Sequence, residues 1–65
     1  MKKVTKANKS SKYGRNYGIY YFDTMIHECD RLDTAINNAE WAMREYQIRE
    51  EVYIVEYATG TAYYF

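Results

Sequence analysis

The sequence has almost nothing with which to staple itself. Among 65 residues there is one cysteine, Cys29, so an intrachain disulfide is excluded. There is one histidine, His27, and no Cys/His cluster, so a structural zinc site has no ligand set. The three glycines, Gly14, Gly18 and Gly60, are scattered, which excludes a glycine-rich phosphate loop. No apolar run follows Lys2 and Lys3, and no stretch is apolar for long enough to cross a bilayer. The expectation from these absences is a soluble protein of a reducing cytoplasm, with no membrane, no metal and no cofactor. A domain this small buries only about 60% of the surface its unfolded chain exposes, so it is marginal alone. Without a disulfide or a metal, self-association or a partner is the expected extra support.

Catalytic groups are equally sparse. His27 and Cys29 would share a face on a strand but diverge by about 200° on a helix. Nucleophilic catalysis also needs a third group to orient the base, and the sequence offers none. The plain reading makes Cys29 a small core hydrophobe and His27 a surface residue, and the chain is expected not to be an enzyme.

What the sequence does have is tyrosine, nine in all. Tyr supplies a large contact area with few rotatable bonds and tolerates a half-wet site, which suits both a small core and an interface. The C-terminal stretch from Glu51 to Phe65, EVYIVEYATGTAYYF, reads as a β-hairpin. Gly60 can take a left-handed conformation without a Cβ clash, so a loop over Ala58, Thr59 and Gly60 would pair Tyr57 with Thr61 and Val55 with Tyr63. Tyr53, Val55, Tyr57, Tyr63 and Phe65 would then line one face, and Val52, Ile54, Glu56, Ala62 and Tyr64 the other. A one-residue change in the loop would exchange these sets. Residues 17 to 22, YGIYYF, form a second strand signal, in which Gly18 marks a bulge or a close backbone approach.

Met25, Cys29, Leu32, Ile36, Ala39, Met43 and Tyr46 form an unbroken helical stripe, which favours one long helix from an Asp23 N-cap to about Ile48. The competing reading starts a shorter helix at Asp33 and leaves Met25 to Cys29 as strand or loop. Ala35, Ala39 and Ala42 lie in an apolar arc of roughly 120°, with room for bulky rings from a sheet. Trp41 breaks the pattern. It lies on the polar side of the helix, with Asn37, Asn38, Arg44 and Glu45 at helical spacing and Ile48 two turns on. An exposed Trp beside an Arg is the composition of an interface hot spot, the plainer reading being a ring half-covered by the basic arm or by a loop.

The charges are segregated. Lys2, Lys3, Lys6, Lys9, Lys12 and Arg15 share residues 1 to 16 with no acid, whereas the rest has three bases and nine acids. Residues 1 to 16 carry too few apolar side chains to offset their ordering entropy, and read as a flexible basic arm before a single domain at 17–65. Such an arm is a candidate phosphate binder, the plainer reading being a solubilising tail. Glu40, Glu45, Glu50, Glu51 and Glu56 form an acidic flank, a solvated face in the plain reading.

The size, the Lys-, Asn-, Ile- and Tyr-rich composition and the strand, helix, hairpin layout resemble small phage-encoded accessory proteins, a class that includes anti-CRISPR and other anti-defence inhibitors. The resemblance implies a protein that binds a host protein, one that handles nucleic acid included.

The expected fold is α+β, ordered β-α-β-β, with a three-stranded antiparallel sheet and one helix on one face. The open second face, at Val52, Ile54, Ala62 and Tyr64, is the expected homodimer interface. The expected function is non-catalytic binding and inhibition of a host protein through Asn37, Trp41, Arg44, Glu45 and Ile48, through the acidic flank, or through both. The alternative is nucleic-acid binding by the basic arm with exposed tyrosines stacking on bases.

Overall fold

The β-branched and aromatic runs pair into one antiparallel sheet, and it is larger than the sequence suggests. The computed structural model describes residues 3–65, and Lys2, one of the expected phosphate-binding lysines, lies outside them. Its elements are β1 (Lys3–Lys6), β2 (Tyr17–Tyr21), β3 (Thr24–Cys29), α1 (Leu32–Glu45), β4 (Val52–Glu56) and β5 (Thr61–Tyr64). The α+β class is as expected, but five strands in the order β1-β5-β4-β2-β3 replace the three.

The first added strand comes from the ambiguous stretch. β2 turns directly into β3 through Phe22 and Asp23, with Tyr21 opposite Thr24. Phe22 takes a positive φ of 55°, unusual for a bulky side chain, and its backbone is held on both sides. Its N–H donates to the Glu51 carbonyl at 3.0 Å, and its own carbonyl accepts from the Tyr53 hydroxyl. The helix therefore begins at Leu32, and the long helix expected from Asp23 is corrected to 14 residues. It ends in a Schellman-type turn: Gln47 is left-handed at φ 54°, and the Ile48 N–H donates to the Met43 carbonyl at 3.0 Å.

The second added strand is the start of the basic arm. β1 pairs with β5, and the Ala7 N–H continues the ladder to the Gly60 carbonyl at 2.8 Å. The chain then runs extended across the sheet. Thr5, Ala7, Lys9 and Ser11 are half-buried, while Lys6, Asn8, Ser10 and Lys12 are exposed, an alternation with the period of a strand. Over residues 3–16, then, the expected flexible arm is a strand and a strap.

The two faces have separate cores. The helix lies over β2, β3 and β4, where Ala35, Ala39 and Met43 pack on Ile19, Cys29, Val52 and Ile54. The small alanines admit the sheet's larger side chains, as the sequence implies. On the other face Tyr20, Tyr53, Val55 and Ala62 are buried, with Ala7 of the strap packed against them.

The hairpin loop runs one residue longer than expected, from Tyr57 to Gly60, with Gly60 left-handed as anticipated. Val55 therefore pairs with Ala62, and Glu56 with Thr61. Side chains alternate, so this slip exchanges the faces of β5 relative to β4. Val52, Ile54, Ala62 and Tyr64 do not share an open face. Val52 and Ile54 lie in the helix-side core, while Ala62 and Tyr64 belong to the strap side.

Candidate functional site

Trp41 is displaced from the core by the helix's own geometry. Ala35, Ala39, Ala42 and Met43 take the buried side of α1, which leaves Trp41 on the flank that overhangs β3. It is 48% exposed. Tyr46, expected in the apolar stripe, is corrected to a surface position at 59% exposure, because the helix stops at Glu45 and Tyr46 caps it. The two rings meet edge to face with centroids 5.9 Å apart. Beneath them a cleft of about 220 Å³ is lined by Ile19, Ile26, His27, Asn38, Trp41 and Tyr46.

Only part of the expected patch comes together. Asn37, Arg44 and Glu45 are exposed on the helix, as is Trp41. Ile48 is not with them. The C-terminal turn swings it back onto the core beside Met43 and Phe65, in a separate cleft with Glu40, Arg44 and Arg49. In its place stand Ile26 and His27 of β3, which sequence spacing along the helix could not reveal. A bulge between the pairings of Ile19 and Tyr20 leaves Ile26 as an extra residue, so that Ile26 and His27 both border the cleft.

The strap defines the other side of β3. Glu28 is buried at 7% exposure and points into the strap face. Its carboxylate accepts from the Ser11 hydroxyl at 2.8 Å, the Lys12 N–H at 2.8 Å, the Tyr13 N–H at 3.0 Å and the Tyr57 hydroxyl at 2.7 Å. Burial pushes the Glu28 carboxyl upward, but these four donors together outweigh it and hold the group at about 2. Tyr57 gives its one proton to Glu28, so the Tyr20 hydroxyl, 2.9 Å away, is the donor to Tyr57. Burial, together with the bond Tyr57 donates to the Glu28 carboxylate, raises the Tyr57 phenol far above its ordinary value. Tyr57 reaches Glu28 by crossing Gly18. A Cβ there would strike the Tyr57 hydroxyl and come within 2.9 Å of the Tyr20 ring, so the close backbone approach anticipated at Gly18 is real.

The basic residues of residues 3–16 are largely engaged. Lys9 pairs with Asp23 at 3.1 Å and lies 5.4 Å from the centroid of the Tyr20 ring. Arg15 pairs with Asp30 at 2.7 Å, and Lys3 sits 4.9 Å from the centroid of Tyr64. Lys6 and Lys12 are exposed and make no ion pair among the described residues. Tyr20 and Tyr53 stack at 5.5 Å beneath the strap and are buried, so they offer no platform to a base.

The side chains with catalytic potential stay apart. Cys29 is buried under the helix, its thiol pushed up by that burial and donating to the Arg31 carbonyl at 3.5 Å, while His27 faces solvent. Among the described residues no group of three or more His, Cys, Asp and Glu side chains is arranged to hold a metal ion, and no helix is long and apolar enough to cross a membrane. No protein-family model, no curated protein and no solved structure matches this chain.

Proposed function

We propose that this chain is a small non-catalytic protein-binding inhibitor or modulator, and that its docking surface is the flank of α1 that carries Trp41. The observation behind this reading is the pair of half-exposed rings, Trp41 and Tyr46, set over an apolar-floored cleft beside an edge strand. Aromatic anchors next to a pocket are the side chains that dominate binding energy at interfaces. Asn37, Arg44 and Glu45 supply a polar rim around them. The resemblance to phage accessory proteins makes a host protein, a defence component included, the proposed target. A homodimer through a bare sheet face is not part of the proposal, because the strap covers that face.

Purification from the natural host with wild type and Trp41→Ala in parallel tests the reading. The expected outcome is a partner recovered with wild type and lost with the variant, at identical circular dichroism. Recovery with both contradicts it.

Nucleic-acid binding is the second reading. It rests on exposed Lys6 and Lys12 with Tyr13, which is 63% exposed. It requires a DNA or RNA mobility shift that weakens steeply with salt, and no shift at low salt removes it.

A further inference from the structure

The two edges of the sheet are built differently. β1 is four residues long and carries Lys3 and Lys6 at its ends, a common guard against unplanned strand pairing. β3 is six residues long with no lysine, and its one charged side chain, Glu28, is turned inward and consumed by the strap. As the last strand of the sheet, β3 has no strand on its outer side among the described residues.

A cleft flanks this edge on each face. On the helix side is the Trp41 cleft, whose lining of Ile19, Ile26, His27, Asn38, Trp41 and Tyr46 carries no carboxylate, lysine or arginine. On the strap side a cleft of about 580 Å³ is formed by Lys12, Tyr13 and Arg15 against Met25 to Glu28. Its one carboxylate is already satisfied by four donors, while Lys12 has no acidic partner among the described residues. Side chains of an added strand would alternate between these two environments.

Resting on the docking reading above, we propose that the edge of β3 takes up an extended segment of the partner protein as a sixth strand. Alternate side chains of the segment are apolar, entering the Trp41 cleft, and acidic, facing Lys12. The bulge at Ile26 bars a flat, regular strand and confines pairing to a segment that accommodates it.

The test is selection from a random-decapeptide display library on the full chain, with counter-selection on Trp41→Ala. The expected products alternate apolar and acidic residues. Their synthetic forms shift the ¹⁵N-amide resonances of Thr24 to His27 as well as the Trp41 indole. N-methylation at alternate peptide nitrogens weakens them by about tenfold or more in the register whose N–H groups face β3 and is tolerated in the other, since strand addition draws its affinity from main-chain hydrogen bonds, and Lys12→Glu weakens them by a similar factor through charge. Enrichment of nothing that depends on Trp41, silent edge amides, or indifference to N-methylation in both registers overturns strand addition. If the host partner is still lost on Trp41→Ala, the docking reading survives that failure. If the partner persists on Trp41→Ala, the docking reading falls, whatever the peptides do.

Discussion

The two faces of the sheet are closed by opposite means. Under the helix, Ile19, Val52 and Ile54 meet Ala35 and Ala39, and closure is the burial of apolar surface. Under the strap, the covering side chains are Thr5, Ala7, Lys9 and Ser11, which bury little apolar area themselves. That layer is held by a ladder at one end and a latch at the other. β1 pairs with β5, and Glu28 gathers two backbone N–H groups and two hydroxyls. A segment too polar to fold by hydrophobic burial can thus be ordered by one buried carboxylate, and its closure inherits the pH dependence of that carboxylate.

The largest expected effect falls on the helix face. Ile54 is fully buried there, and Ile54→Ala should cost about 4 kcal/mol in denaturant unfolding, through lost transfer energy and the cavity left behind. The strap should answer less, and differently. Glu28→Ala strands four donors and should cost about 3 kcal/mol, read in the same experiment.

The acid response separates the faces more sharply. The Glu28 pKa is depressed from an ordinary value near 4.5 to about 2, so its stabilisation is fully present above pH 4.5 and is lost as pH falls toward 2. Wild type should lose about 2 kcal/mol across that window, after allowance for solvent screening. Glu28→Gln should show a flatter profile there, and equal profiles would detach the latch from the strap.

Gly18→Ala displaces the Tyr57 hydroxyl from its place beside Glu28 and should cost about 2 kcal/mol. Its cost should shrink in the Glu28→Gln background, because both changes strike one network. Full additivity would mean that the Tyr57 bond adds nothing to the latch. The smallest effect belongs to the side of the helix that faces neither layer. Trp41→Ala should change stability by less than about 1 kcal/mol, since the ring is half in solvent. A larger loss would make Trp41 a packing residue and weaken its reading as an anchor.

The difference between the faces also explains what could be read in the sequence. The hairpin strands, the strand at 17 to 21 and the Ala-rich side of the helix were legible, because apolar periodicity reports burial. β3 was not. Its Met25 and Cys29 continue the helical stripe, and the strand is decided by a turn at Phe22 and Asp23, where a bulky residue adopts a conformation that usually signals Gly or Asn. The strap was invisible to composition, since its order depends on Glu28, fifteen to seventeen positions beyond the groups that bind it. Trp41 stood out as an oddity on the polar side of the helix, whereas Tyr46, Ile26 and His27 join it only through the early helix end and the bulge. The β5 register turned on a single loop residue, the slip that would exchange the two face sets.

Residues 3–16 form a fixed layer of the fold and not a free basic arm, which leaves the proposed docking to the flank beside β3. Amide hydrogen exchange at Lys12 and Tyr13, followed by NMR, measures this most directly, with each rate compared with that of an unstructured peptide at the same pH. The account predicts strong protection of both amides near neutrality and its loss as the pH is taken toward 2, with the Ile54 amide still protected. Unprotected amides at Lys12 and Tyr13 near neutrality would contradict it.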